Sequence, residues 1–356
     1  MSILDISLRI GGNNTMRDIK DLTIIQAILH ILDNQNDFIK ESDFLLTLNE
    51  KIIEFLKKHI LNSLDDDKTR AANFITSGNI VKNSCNAILN SSDCFVEESK
   101  KIANSLFLAM SNKTISPADL LVVNFESNKN KYIALLKMDY NEIYKHVYEE
   151  TDDGKIKTDL VIDDSTSLPN LNQKLQKSAF IQSEDSADDY EIIILDKQAS
   201  SKSAGKDIAQ FFLKSFLNAK LEKDDKYKTQ VFIQSTIKYL NNNVQDSKKR
   251  KEIINYMYDT LNQQSEINIR DFANIFDEQD REEYLGVLFG EKLADYEFKP
   301  DESILEKHKK IVLETNQDIK IRMSKVLFDD KKYFQEEKLE DGSYKISIYT
   351  DGYKIR

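Results

Sequence analysis

The sequence predicts an α+β protein: an N-terminal mixed α/β domain with a hairpin, a central helical region and a β-rich C-terminal tail. Three observations predict this class. The helical stretches of the first half come before its strands, β-branched runs flank a short polar turn, and apolar residues alternate in the tail. A chain of 356 residues is long enough for two domains. We expect residues 1–195 to form an N-terminal α+β domain with an acidic connecting segment, and residues 196–356 to form the C-terminal domain.

The N-terminal half opens with two apolar segments. Apolar and polar residues alternate over residues 4–10, which predicts a strand, and residues 23–32 (TIIQAILHIL) are apolar enough for a second, buried strand, although a helix also fits them. Apolar residues then recur at helical spacing after Asn49, a residue type typical of an N-cap. A second helix is expected over residues 97–110.

A hairpin and an acidic segment follow. Residues 120–126 (LLVVNFE) and 132–139 (YIALLKMD) are rich in β-branched and apolar residues, and the Asn-rich turn between them predicts a hairpin. From residue 147 to residue 195 there are twelve acidic residues against four lysines. This bias is typical of solvated connections, here around a predicted strand KTDLVID.

The charge balance reverses in the central region. Residues 196–252 contain 13 basic and seven acidic residues, and helices are expected at about 205–219, 226–243 and 248–262. Two shorter helices, over about 269–276 and 278–290, follow Asn268 as a cap. In the tail, apolar residues alternate from 319 to 323, and an Asp-Gly pair at 341–342 between two strand-like runs predicts a hairpin.

Composition excludes several classes of protein. No basic segment followed by a long apolar core opens the chain, and no apolar run is long enough to span a bilayer, so we expect a cytoplasmic protein without a membrane partner. Cys85 and Cys94 are the only cysteines and have no nearby His, which predicts buried thiols rather than a disulfide or a zinc site. The net charge of −11 restricts any surface for a polyanion to a local patch.

Residues 192–212 (IIILDKQASSKSAGKDIAQFF) have the outline of a phosphate-binding loop, because a strand-like run leads through a small polar loop to Gly205-Lys206 at a predicted helix start. A Walker A loop requires Gly at the position of Ser200 and Ser or Thr at the position of Asp207. These two departures argue against a bound nucleotide.

The lysines around this predicted helix start are candidates for contact with nucleic-acid phosphates, since the positive end of a helix dipole attracts anions. A solvated face of an amphipathic helix is the alternative interpretation. The candidates are Lys197, Lys202, Lys206 and Lys214.

A second basic cluster stands where another helix is expected to begin, after Ser247. Positive charge at a helix N-terminus is slightly unfavourable, which favours a functional reason for it, although basic residues on exposed helices also occur without one. The cluster consists of Lys248, Lys249, Arg250 and Lys251.

Residues that would carry catalysis are not evident. Glu98-Ser99-Lys100 has the Glu-x-Lys spacing of metal-dependent nucleases, but that arrangement normally works on a strand and here falls in a predicted helix. The four histidines are isolated from one another and from any cysteine. We therefore predict a non-enzymatic protein with no catalytic residues, no metal site and no cofactor.

The two short helices at 269–290 resemble a helix-turn-helix only in length, because their apolar residues suit a core and the second helix starts with acidic residues.

The ordered set of these stretches resembles the bacterial 37-kDa nucleoid-associated protein family. Four stretches carry the resemblance, and together they span most of residues 20–350. They are QAILHILDN (26–34), EIIILDKQASSKSAGKDIAQFFLKSFL (191–217), EINIRDFANIF with YEFKPDESILEKHKK (266–276 and 296–310), and IKIRMSKVLFDDKKYFQEEKLEDGSYKISI (319–348). The resemblance implies a cytoplasmic protein of the nucleoid that binds DNA without strong sequence preference, and it brings no catalytic residues.

Two hypotheses about function follow. In the first, the chain binds duplex DNA through backbone phosphates, using the two lysine-rich groups named above. In the second, the acidic surface makes the chain a protein-interaction adaptor that recruits or regulates a basic DNA-processing or phage-defence partner. A homodimer is a further expectation, because aromatic residues near Tyr239, Tyr256 and Tyr258 could bury against a second copy.

Overall fold

The computed structural model describes residues 15–75, 78–112, 114–152, 154–183, 189–197, 208–291, 293, 296–308, 310–324, 328, 332–339 and 341–350. The chain divides into two compact units, unit one from Met1 to Glu222 and unit two from Lys223 to Arg356. The boundary expected between residues 195 and 196 falls within a strand of unit one and stays a prediction about domain organisation.

Unit one is built around an eight-stranded antiparallel sheet with the order β10-β3-β9-β8-β5-β4-β1-β2. Its strands are β1 (Thr23–Asp33), β2 (Phe38–Lys40), β3 (Thr69–Phe74), β4 (Ala118–Ser127), β5 (Asn130–Asp139), β8 (Lys177–Gln182), β9 (Ile192–Asp196) and β10 (Ala219–Leu221), and a separate ribbon pairs β6 (Asn141–Glu150) with β7 (Ile156–Ser167). Its helices are α1 (Glu50–Leu64), α2 (Ile80–Asn90), α3 (Phe95–Ala109) and a π-helix (Phe211–Phe216), with short 3-10 turns at Met16–Asp18 and Ser92–Cys94.

Helices cover both faces of this sheet. Along β4, Val122 packs into the cluster formed with α2, α3 and the π-helix, whereas its neighbours Leu121 and Val123 pack into the cluster formed with α1. Successive side chains of a strand point to opposite faces, so a strand covered on both sides is apolar throughout. This explains the continuous apolar runs in the sequence of β4 and β5.

Unit two has a helical core followed by two hairpins. Its elements are α4 (Asp225–Asn243), α5 (Ser247–Gln263), β11 (Ile267–Asn268), α6 (Ile269–Phe272), a 3-10 turn (Ala273–Ile275), α7 (Glu278–Gly290), β12 (Glu297–Phe298), α8 (Glu302–His308), β13 (Lys310–Glu314), β14 (Lys320–Ser324), β15 (Phe334–Lys338) and β16 (Tyr344–Ile348). Phe232 and Phe272 meet edge to face, with ring centroids 5.0 Å apart. Such aromatic pairs stabilise a core beyond the area that they bury.

The α+β class and most expected elements are confirmed. Residues 23–32 lie in a strand, Asn49 caps α1 by accepting a hydrogen bond from the Ile52 N–H at 3.0 Å, and β4 and β5 form the expected hairpin. Gly342 has φ +84° in the hairpin between β15 and β16, as its position after Asp341 predicted. Residues 4–10 lie outside the described residues.

The helix expected over residues 205–219 was wrong in its extent. Residues 198–207 lie outside the described part of the chain, Phe211–Phe216 form the π-helix, and Ala219 already begins β10. Asn218 between them has φ 45°, in the left-handed region that ends a helix.

The expectation that Tyr239 packs against a second copy was also wrong. Tyr239 is 2% exposed, and its ring packs in the core of unit two, 5.4 Å from the ring of Tyr284. Tyr256 is 44% exposed and stacks on Phe272, and Tyr258 is half-buried against the same core. The homodimer therefore stays a prediction without support from Tyr239.

Candidate nucleic-acid interface

Helix α5 presents the densest group of basic residues in unit two. Ile253, Met257 and Leu261 recur every four residues and are 3%, 0% and 1% exposed, so this side of the helix faces the core. The helical period places Lys248 and Lys251 on the exposed side. Their side chains consequently face solvent.

The turn between α4 and α5 fixes the first residues of α5. Asp246 caps the helix, because its carboxylate accepts a hydrogen bond from the Lys248 backbone N–H at 2.8 Å. The carboxylate compensates for the positive charge at this helix N-terminus. Arg250 Nη1 donates to the Val244 and Gln245 carbonyl oxygens at 2.6 and 3.2 Å, and so satisfies carbonyl groups beyond the end of α4. Arg250 thus has a structural role here.

Five cations and one carboxylate occur between residues 238 and 251, which gives this stretch a formal net charge of +4 in a chain of net charge −11. The exposed amides of Asn241, Asn242 and Asn243 lie in the same stretch and offer further hydrogen-bond donors. We call the five cationic residues the basic corner. It consists of Lys238, Lys248, Lys249, Arg250 and Lys251.

Helix α7 provides negative charge next to part of the basic corner. Lys249 Nζ lies 3.7 Å from Asp280 Oδ2. The Asp280 carboxylate therefore partly neutralises the charge of Lys249. The negative charge of α7 also acts on Tyr239, because burial, and then the charges of Asp280, Glu283 and Asp277, raise the pKa of Tyr239 to about 12. Among the described residues, no ion pair involves the other three lysines of the basic corner.

The two described lysines from the first candidate group have structural contacts in unit one. Lys197 Nζ lies 2.9 Å from Asp66 Oδ2, and its side chain is only 17% exposed. Burial, the largest single effect, opposes ionisation of Asp66, but the hydrogen bonds from Lys197 and the Lys68 N–H, together with the charges of Lys197 and Lys174, outweigh it, so the pKa of Asp66 is below its ordinary value. Lys214 is exposed and donates to the Ala219 carbonyl oxygen at 3.0 Å.

The eight predicted contact residues are not brought together as one described group. Lys202 and Lys206 lie outside the described residues. Lys197 and Lys214 belong to unit one, whereas the four residues from Lys248 to Lys251 belong to unit two. The sequence analysis did not name Lys238 as a contact residue. Its position in the helical period of α4, between residues that are buried, indicates an exposed side chain.

The remaining sequence candidates have structural contacts of their own. Phe272, Phe276, Tyr284 and Leu288 are at most 2% exposed, so the short helices of unit two present their apolar residues to the core. In the Glu-x-Lys stretch, which lies on α3, Lys100 Nζ lies 2.6 Å from Asp43 Oδ1. Within the described residues, no cluster of three or more His, Cys, Asp or Glu side chains could hold a metal ion.

The described helices include none that is both long enough and apolar enough to cross a membrane.

The fold and the basic corner define an α+β protein with a local cationic surface on an acidic chain. Residues 28–346 match the model of a family described as nucleoid-associated protein YejK. The chain belongs to this family of nucleoid-associated proteins. No match was found among curated proteins.

Proposed function

We propose that the chain binds duplex DNA through backbone phosphates, with little sequence specificity, and that the basic corner makes the principal contacts. One observation carries this proposal: residues 238–251 contain five cations and only one carboxylate in an otherwise acidic chain. Ammonium groups bind phosphates as point charges and carry no base information. The family membership supports an association with the nucleoid. In this proposal the chain acts by binding, not by catalysis.

The low specificity follows from what surrounds the basic corner. Recognition of bases requires exposed side chains on an element that enters a groove. Helix α7, the second helix of the pair that has helix-turn-helix length, begins with Glu278 and Asp280, which would repel phosphates. Its neighbour α6 is four residues long.

We retain Lys202, Lys206 and Lys214 as a second proposed contact region. Lys197 is the weakest candidate in this region, because its ammonium group already pairs with Asp66.

A salt titration of DNA binding tests the basic corner. Neutralising Z phosphates gives a slope of about −0.9Z in a plot of log K against log salt concentration. Lys248→Glu with Lys251→Glu should weaken binding to random duplexes uniformly and reduce the slope by about two.

The matched control is Lys338→Glu with Lys345→Glu, which makes the same charge change at exposed sites on the hairpin of β15 and β16. This control should retain most of the affinity and the slope. An equal loss in both double variants would show that binding follows total charge and not the basic corner.

The ribbon of β6 and β7 favours the second candidate function, a protein-interaction adaptor. Residues 141–167 contain eight acidic and three basic residues. Tyr144 pairs with Ile162 across the ribbon, and further along the same face Tyr148 and Leu160 are 73% and 65% exposed. Large exposed apolar patches mark interaction sites, and an acidic rim suits a basic partner.

Site-specific photo-crosslinking tests this second function in lysate treated with nuclease, which removes DNA bridges. A photoreactive side chain at position 148 should crosslink to one basic DNA-processing or defence protein, and Leu160→Asp should abolish that crosslink. Crosslinks that persist unchanged in Leu160→Asp, or that require intact DNA, would argue against the adaptor.

A further inference from the structure

A cavity of about 740 Å³ lies in unit one, at one end of the sheet. Its walls come from β5 and β8, from residues after α3, and from the π-helix and the residues just before it. Its size is within the range of small-molecule sites, about 300–1,000 Å³. Six of the residues that line it are Lys137, Lys177, Asp139, Asn112, Phe211 and Ser215.

Two buried lysines stand side by side in this wall. Lys137 on β5 and Lys177 on β8 are directly paired across the strands and are 3% and 2% exposed. Like charges in directly opposed positions destabilise a sheet, and buried charges have a large desolvation cost. Burial lowers the pKa of Lys137 below its ordinary value despite the opposing effect of Asp139. Such an arrangement is typical of functional sites.

Each lysine of this pair has a carboxylate partner, and only one of the two carboxylates lines the cavity. Lys177 Nζ donates to Asp196 Oδ1 at 2.7 Å, but Asp196 is fully buried and does not line the cavity. Lys137 Nζ contacts Asp139 and donates to the Ser116 carbonyl oxygen at 3.2 Å. Among the described residues that line the cavity, the charged ones are Lys137, Lys177 and Asp139.

The local backbone also marks this place. Asp196 Oδ2 accepts a hydrogen bond from the Ala209 N–H at 2.7 Å, which ties the end of β9 to the residues just before the π-helix. Lys177 Nζ lies 5.6 Å from the centroid of the Phe211 ring, on that helix. π-Helices are rare and frequently occur at functional sites.

We propose that this cavity binds a small organic molecule through one oxyanion, a phosphate or a carboxylate, held between Lys137 and Lys177. The amide group of Asn112 donates or accepts hydrogen bonds with the polar remainder of the ligand, and Ser215 borders the cavity without binding the ligand. The Phe211 ring supplies an apolar surface. This site is independent of DNA binding by the basic corner, which belongs to unit two.

Isothermal titration of the DNA-free full chain tests the proposal with two sets of probes. One set is inorganic phosphate and adenosine monophosphate, and the other is lactate and benzoate. The probes of one set should bind saturably with one site per chain. The set that binds identifies the oxyanion.

Two variants place the binding in the cavity. Lys137→Gln with Asp139→Asn removes one ammonium group and its carboxylate together, and should weaken binding at least tenfold. Lys131→Gln, an exposed change on the same strand, should not weaken it. Ser215→Trp leaves both lysines intact and obstructs the cavity, so it should abolish binding, whereas Ser215→Ala should not.

The Ser215 pair decides the question if the Lys137 variant fails to fold. The absence of binding by wild type to every probe at millimolar concentration would overturn the proposal. So would binding that survives Ser215→Trp, because the anion would then be bound elsewhere, for example at the basic corner.

Discussion

The buried ion pair between Lys177 and Asp196 provides a quantitative test of how unit one is held together. Lys177 is 2% exposed, Asp196 is 0% exposed, and Nζ lies 2.7 Å from Oδ1. Asp196→Asn preserves the side-chain volume, so it creates no cavity, but leaves the Lys177 ammonium buried without this carboxylate. Removing one partner of a buried pair costs about 3–5 kcal/mol. With a urea dependence of about 1–3 kcal/mol per molar, the unfolding midpoint should fall by roughly 2 M.

Urea denaturation followed by circular dichroism measures this midpoint, and hydrogen exchange in β8 and β9 assigns the transition to unit one. Lys177→Met with Asp196→Leu should recover most of the loss, because apolar residues can replace a buried pair at little cost. Asp21→Asn, which removes one partner of the exposed pair with Lys57, is the control and should leave the midpoint unchanged. An Asp196→Asn midpoint equal to that of the control would refute the reasoning.

Three further predictions concern local stability. Asn49→Ala removes the cap of α1 and should lower the unfolding free energy by about 1 kcal/mol, measured by urea denaturation against Asn62→Ala inside the same helix. Burial and the nearby Lys100 charge lower the pKa of His30 to about 4, below the ordinary 6.5, so its contribution to stability should be lost as pH falls from 6.5 towards 4. At about pH 5 the free energy of unfolding should be roughly 2 kcal/mol lower than at neutral pH. The same pH dependence of the unfolding free energy in His30→Gln would contradict this assignment to His30. Gly342→Ala places a side chain at φ +84° with no heavy atom within 4 Å, so only backbone strain opposes it. The substitution should destabilise the hairpin of β15 and β16 by about 1 kcal/mol, which would be detected as faster local hydrogen exchange. Unchanged hydrogen exchange in this hairpin would contradict the expected backbone strain.

Elements with strong local patterns were predictable from the sequence. The apolar run of β1, the cap at Asn49 and the Asp-Gly hairpin all depend on neighbouring residues. In contrast, β3 (TRAANF) has a weak strand pattern and is defined by pairing with β9, which lies far along the chain. Short strands specified by long-range pairing leave little local signal.

The candidate site was predictable in its residues but not in its surroundings. The cluster at 248–251 is visible in the sequence, yet the proximity of Lys249 to Asp280 depends on how α7 packs. The pairing of Lys197 with Asp66 likewise joins residues far apart in the sequence. Lys137 and Lys177 are neighbours only because β5 and β8 pair in one register.

Lysine acetylation footprinting, with and without duplex DNA, tests the central claim most directly. DNA bound at the basic corner should protect Lys238, Lys248 and Lys251, and should leave Lys338 and Lys345 as reactive as in the free protein. The same spectra report on Lys202 and Lys206, the second proposed contact region. Protection that is absent from the basic corner, or equal at all exposed lysines, would contradict the account.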